Sequence, residues 1–155
     1  MPKQHSPSSP DPSSATLVIR RTICATAEFL FDAWTHPDKM KEWWGPGDVK
    51  CLAVEIDLQV GGRYRIANQF PDGKIIWITG EFESIEAPHK LVYTWRVEPN
   101  PGQLELVIVQ FEPRDGATEV IVTHERIPDA TTRDRHKAGW HGCLDGLVSY
   151  ATRAR

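Results

Sequence analysis

The sequence predicts an α+β domain: a curved seven-stranded antiparallel sheet wrapped around one long C-terminal helix, with two short helices after the first strand. Three observations carry this. From about residue 50 to residue 125 apolar and polar residues alternate with a period of two, in six runs separated by short breaks. Breaks that short suit an antiparallel meander and leave no room for the crossovers that parallel strands need. On either side of this region the apolar period changes to that of a helix.

Taken in order, TLVIRRTI (residues 16–23) reads as the first strand. In TAEFLFDAW, Ala27, Leu30, Phe31 and Trp34 recur at helical spacing. THPDKMKEWW reads as a second short helix, because Thr35 and Asp38 have capping-box spacing and Pro37 suits a first turn; Gly45-Pro46 ends it. The six further strands are CLAVEI, GRYRIANQ, KIIWITGEFESI, KLVYTWRV, LELVIVQFE and ATEVIVTHE. Their breaks are Gly61-Gly62, Pro71-Asp72-Gly73, Pro88, Pro99-Asn100-Pro101-Gly102 and Asp115-Gly116. From Asp129, a candidate cap, to Ala151 the chain is helical, with Trp140, Leu144, Leu147 and Ala151 forming one apolar stripe.

The chain has 155 residues, 40% of them hydrophobic, enough for one domain with a real core. Residues 1–14 are rich in Ser and Pro and are expected to be a disordered tail, leaving residues 15–155 as the folded domain. A formal charge of -3 without a basic cluster argues against nucleic acid. No apolar run is long enough for a signal peptide or a membrane span, so no membrane insertion is expected. Cys24, Cys51 and Cys143 are odd in number and widely spaced, which disfavours a disulfide framework or a CxxC metal site and suits a reducing cytoplasm.

In order and spacing, FDAWTHPDKMKEWWGP, VEIDLQVGGRYRI, GEFESIEAPHKLVYTW, TEVIVTHERIPD and HKAGWHGCLDGL resemble the bacterial family named for the C-terminal domain of the activator of heat-shock protein 90 ATPase. That family lies within the START-like, birch-pollen-allergen-like (SRPBCC) superfamily, and the resemblance covers about residues 16–152. It implies a helix-grip fold with an apolar cavity between sheet and C-terminal helix. Relatives in the superfamily hold lipids, hormones, polyketides or aromatic compounds there, and a few catalyse cyclisation or hydration.

The adjacent Trp43 and Trp44 pose a local problem. Neighbours on a helix point about 100° apart, so both rings are buried only if the helix end lies between two apolar surfaces. One surface is core, and the other is a candidate pocket. Period two places Tyr64 with Ile66, Leu91 with Tyr93, Trp95 and Val97, and Val120 with Val122 and His124, on inward faces. In KIIWITGEF both registers are apolar, and the direction of Trp77 stays open. Arg63, Arg65 and Arg96 fall on the outward registers. Gly139, Gly142 and Gly146 lie on one helical face, each costing about 1 kcal/mol relative to alanine, which calls for close packing against the sheet or room for a ligand. The candidate ligand-binding residues are Trp44, Tyr64, Trp77, Tyr93, Trp95, His124, Trp140, Cys143 and Leu147.

Three functions follow. The first is a cytoplasmic, stress-related carrier or sensor for a small hydrophobic or aromatic molecule, monomeric or homodimeric and without a cofactor. The second is a cyclase- or hydratase-like enzyme with His124 as acid or base and Tyr64 or Tyr93 as a donor. The third, implied by the family name, is a chaperone ATPase-activating module. No G-x-S-x-G, H-E-x-x-H, P-loop or dinucleotide fingerprint is present, and His136 and His141, five apart, do not share a helical face for a metal.

Overall fold

The computed structural model describes residues 15–45, 47–98 and 104–154. The expected tail at 1–14, Pro46 and the Pro99–Gly102 break lie outside the described residues. The elements are β1 (Ala15–Ile23), α1 (Ala27–Thr35), α2 (Pro37–Trp43), β2 (Lys50–Ile56), β3 (Arg63–Gln69), β4 (Ile75–Glu86), β5 (Lys90–Glu98), β6 (Glu105–Arg114), β7 (Ala117–Ile127) and α3 (Ala130–Ala154). All strand pairings are antiparallel, in the order β1-β7-β6-β5-β4-β3-β2. This is the helix-grip arrangement, with α3 lying across the sheet's inner face.

Local chemistry sets the boundaries. Thr26 caps α1, its hydroxyl accepting from Phe29 N–H at 3.0 Å. Asp129 caps α3 as its sequence position implies, accepting from Thr132 N–H at 2.7 Å. The capping box expected at Thr35 does not form. Thr35 is the last residue of α1, its hydroxyl donates back to the Phe31 carbonyl at 2.8 Å, and His36 precedes Pro37 in the N-cap position without a side-chain bond. β6 and β7 join through Asp115 (φ 42°) and Gly116 (φ 82°), with Arg114 opposite Ala117, a two-residue hairpin of the primed type.

Register shifts in β1 at Ala15/Leu17, in β2 at Cys51/Ala53 and in β4 at Phe82/Ser84 bend the sheet. The interior is one continuous cluster in which Leu30, Leu91, Val107, Val109, Phe111, Val120, Val122, Leu144 and Leu147 are fully buried. The stripe Trp140, Leu144, Leu147, Ala151 faces inward as expected.

Candidate functional site

Trp43 and Trp44 face different surroundings because the helix stops between them. Trp43 is the last residue of α2, whereas Trp44 has extended backbone (φ -74°, ψ 142°) and is followed by Gly45 at φ 118°. A Cβ at Gly45 would meet the Val49 carbonyl at 2.6 Å, so the sharp exit of the chain requires glycine. Trp43 donates its indole N–H to the Ala33 carbonyl at 2.9 Å and is core. Trp44 lines a cavity of about 630 Å³ between the sheet and α3, and its buried indole N–H has no partner among the described residues.

The cavity wall is assembled from several elements. α3 contributes Thr132, His136, Gly139, Trp140 and Cys143. The sheet contributes Asn68, Ile76, Ile78, Trp95, Val97 and Glu105, and the exposed Phe70, Lys74 and Arg135 mark its rim. Trp95 packs at 5.6 Å from Trp140 and 6.3 Å from Trp44 between ring centroids, and Trp44 meets Trp140 edge-on at 5.5 Å. Three buried polar atoms of these wall residues lack partners among the described residues: Trp44 Nε1, Trp95 Nε1 and Asn68 Oδ1. Buried polar groups are nearly always paired, so three unpaired atoms on residues of one wall set this region apart from the packed core, although each of them is covered by protein.

At one side of the cavity sits a linked polar group. Glu105 Oε1 accepts from His124 Nε2 at 2.7 Å and from His136 Nε2 at 2.9 Å. His124 is fully buried, and its Nδ1 lies 3.0 Å from Trp140 Nε1. An indole N–H only donates, so Nδ1 carries the lone pair and Nε2 carries the proton. The two imidazoles stack 4.6 Å apart, with Trp95 edge-on to His124 at 5.0 Å.

The ligand atoms of Glu105, His124 and His136 lie within 4.8 Å of one another, close enough to consider a metal. The Trp140 bond argues against it. It leaves Nε2 of His124 as a donor with no lone pair to offer a cation, and the cluster is explained as a carboxylate held by two N–H groups.

Burial works against ionisation of Glu105, but the bonds from His124 and His136 outweigh it and hold the carboxyl below its ordinary value of 4.5. His124 moves down from 6.5: burial disfavours its charged form more than the bond to Glu105 favours it. The group is therefore an ionised carboxylate beside a neutral, buried imidazole. Burial also pushes the Cys143 thiol up to about 12, which makes it an inert wall residue.

The structure sorts the residues singled out in the sequence. Trp44, Trp95, Trp140 and Cys143 line the cavity together. Tyr64 and Tyr93 do not; they border a separate void of about 20 Å³ with Trp34, Met40, Ile56, Ile66 and Phe82. There Tyr64 donates its hydroxyl to the Thr94 carbonyl at 2.6 Å, and Tyr93 accepts from Trp34 Nε1 at 3.2 Å. His124 faces inward but stands behind Glu105 with both ring nitrogens engaged, and Leu147 is fully buried core. Trp77 is on the opposite face of β4 from Ile76 and Ile78, under the Arg65 guanidinium, which lies 4.0 Å from its ring centre. The helical glycines also divide. A Cβ at Gly146 would run into the Trp43 carbonyl, a close approach to α2 and not to the sheet, whereas one at Gly139 meets nothing within 4 Å.

Glu105, His136 and Asn68 escaped the sequence reading. A signal existed for the first: Glu105 shares the register of Val107, Val109 and Phe111, all inward, and an acid on an apolar register is unusual. His136 sits four residues before Trp140, on the same helical face, a spacing that comparison with His141 alone concealed.

The model of the family "Activator of Hsp90 ATPase homolog 1-like protein" matches residues 24–152. None of the curated proteins matches this chain. Among solved structures, protein CV1439 from Chromobacterium violaceum superposes with a TM-score of 0.82 at 22% identity, covering 88% of this chain and 96% of its own. The AHSA1 protein from Silicibacter pomeroyi gives 0.81 at 24% identity over 91% and 100% of the two chains. CalU16 from Micromonospora echinospora gives 0.70 at 20%, over 91% and 80%. At such identities these structures establish the fold, while the family match spans nearly the whole folded region, and the chain belongs to the activator of Hsp90 ATPase homolog 1-like family.

Proposed function

We propose that this protein binds a small hydrophobic or aromatic molecule in the cavity between the sheet and α3, as a carrier or sensor. The observation that carries the reading is a cavity of about 630 Å³ whose wall combines the indole rings of Trp44, Trp95 and Trp140 with one buried acid, Glu105. The cavity's size falls within the range of small-molecule sites, and indole rings with Ile76, Ile78 and Val97 provide apolar contact. The cytoplasm is the compartment we assign, because three thiols and no paired-cysteine framework suit a reducing environment.

The test is native mass spectrometry of protein purified gently from its host, before and after denaturing extraction, alongside Gly139→Leu. Gly139 borders the cavity with open space beyond it, so leucine fills the site without meeting backbone. A small molecule released from the wild type and missing from the variant, with unchanged circular dichroism, is the expected result. Retention of the same molecule by Gly139→Leu would locate binding elsewhere.

A further inference from the structure

We propose that the cavity selects cationic amphiphiles, molecules with an apolar or aromatic body and a protonated amine whose N–H groups bond the Glu105 carboxylate. This rests on the ligand-binding reading above and specifies its chemistry.

Glu105 is a buried acid on the cavity wall. Among the described residues its ion-pair contacts are His124 and His136, with no lysine or arginine joining them. The bond from Trp140 to His124 fixes His124 as a neutral donor, so at that contact the carboxylate receives a hydrogen bond but no counter-charge. Burying an anion is costly, and the usual remedy is an opposite charge with matching hydrogen bonds. An ammonium group supplies both. The rings beside Glu105 reinforce the choice, because Trp95, Trp140 and His136 border the same space and indole faces attract cations.

The two imidazole bonds also decide between binding and catalysis. They stabilise the ionised form of Glu105 and lower its pKa, which makes the group a poorer proton acceptor and a better charge anchor. The remaining charges bordering the cavity, Lys74 and Arg135, are exposed at the rim, where solvent screens them. They would favour an acidic ligand, and that alternative is built into the test.

Phenethyl, naphthylethyl and decyl bodies, each as amine, alcohol and carboxylate, are titrated calorimetrically into the wild-type protein at pH 7. At least one amine is expected to bind about tenfold tighter than its alcohol, a difference that shrinks to within about twofold in Glu105→Gln. The wild-type comparison stands alone if the variant folds poorly. An alcohol or carboxylate binding as tightly as its amine overturns the proposal, as does an amine preference that survives in a folded Glu105→Gln. If alcohols or carboxylates bind and Gly139→Leu abolishes it, the cavity reading stands and only the cation preference falls. If no probe binds, the cation preference falls with it.

Discussion

The interior has two ends made from similar materials, and they differ in how their polar groups are satisfied. At the closed end Trp34, Tyr64, Phe82 and Tyr93 leave a void of about 20 Å³, and protein partners occupy the Trp34 N–H and the Tyr64 hydroxyl. At the open end Trp44, Trp95 and Trp140 border about 630 Å³, and two of the three indole N–H groups have no partner among the described residues. Aromatic content therefore does not identify a binding site. What separates the two ends is open space and the pairing of the polar atoms around it.

Glycine substitutions at the two ends test this most sharply. Gly80 faces Tyr64 across β3 and β4, and a Cβ there would collide with the Thr94 carbonyl and the Tyr64 ring. Gly80→Ala should cost about 3 kcal/mol or more in urea unfolding, because the Thr94 backbone and the buried Tyr64 ring must both move. A loss under about 1 kcal/mol would mean that the closed end is loosely packed.

Much of this contrast was legible in the sequence, and its limits are physical. Alternation and turn residues sufficed for seven strands, and helical spacing placed Trp140, Leu144, Leu147 and Ala151 inward. Period two reports only which face a side chain takes, so Tyr64 and Tyr93 were grouped with Trp95 although they lie at the other end of the interior. Trp44 was legible as a second-surface residue, but the extended backbone that turns it away from Trp43 depends on Gly45 and the tertiary contact at Val49. Glu105 joins His124 and His136 across β6, β7 and α3, a meeting that no local pattern encodes.

The polar group at the open end gives the next largest effect. Glu105→Ala removes the acceptor for two imidazole N–H groups and should destabilise by about 2 kcal/mol, while Glu105→Gln, which retains an acceptor oxygen, should cost less. Equal losses would mean that side-chain volume, not hydrogen bonding, matters there.

Acid should act on the same group. His124 is held below 6.5, so as pH falls through that value the unfolded chain takes up a proton that the folded one resists, and stability drops. Glu105 is held below 4.5, so its contribution is present above that pH and is lost as pH falls through its folded value. Both effects lower the Tm on acidification, first near pH 6.5 and again below about 4.5. In His124→Gln the upper step should vanish; its persistence would assign it to another group.

Smaller differences separate neighbours. Gly139→Ala, with open space at its Cβ, should raise stability by about 1 kcal/mol through helix propensity, the opposite sign to Gly80→Ala. Trp43→Phe strips the Ala33 carbonyl of its donor, whereas Trp44→Phe removes an N–H with no partner among the described residues, so the first should be the costlier by roughly 1 kcal/mol in thermal unfolding.

The strand order has a kinetic consequence. β1 lies at a sheet edge and pairs only with β7, so Leu17 meets His124 across most of the chain's length. On the ribosome the first strand emerges with no neighbour and waits until the rest of the sheet has been made. Closing so long a loop early is entropically unfavourable, which places β1 docking late.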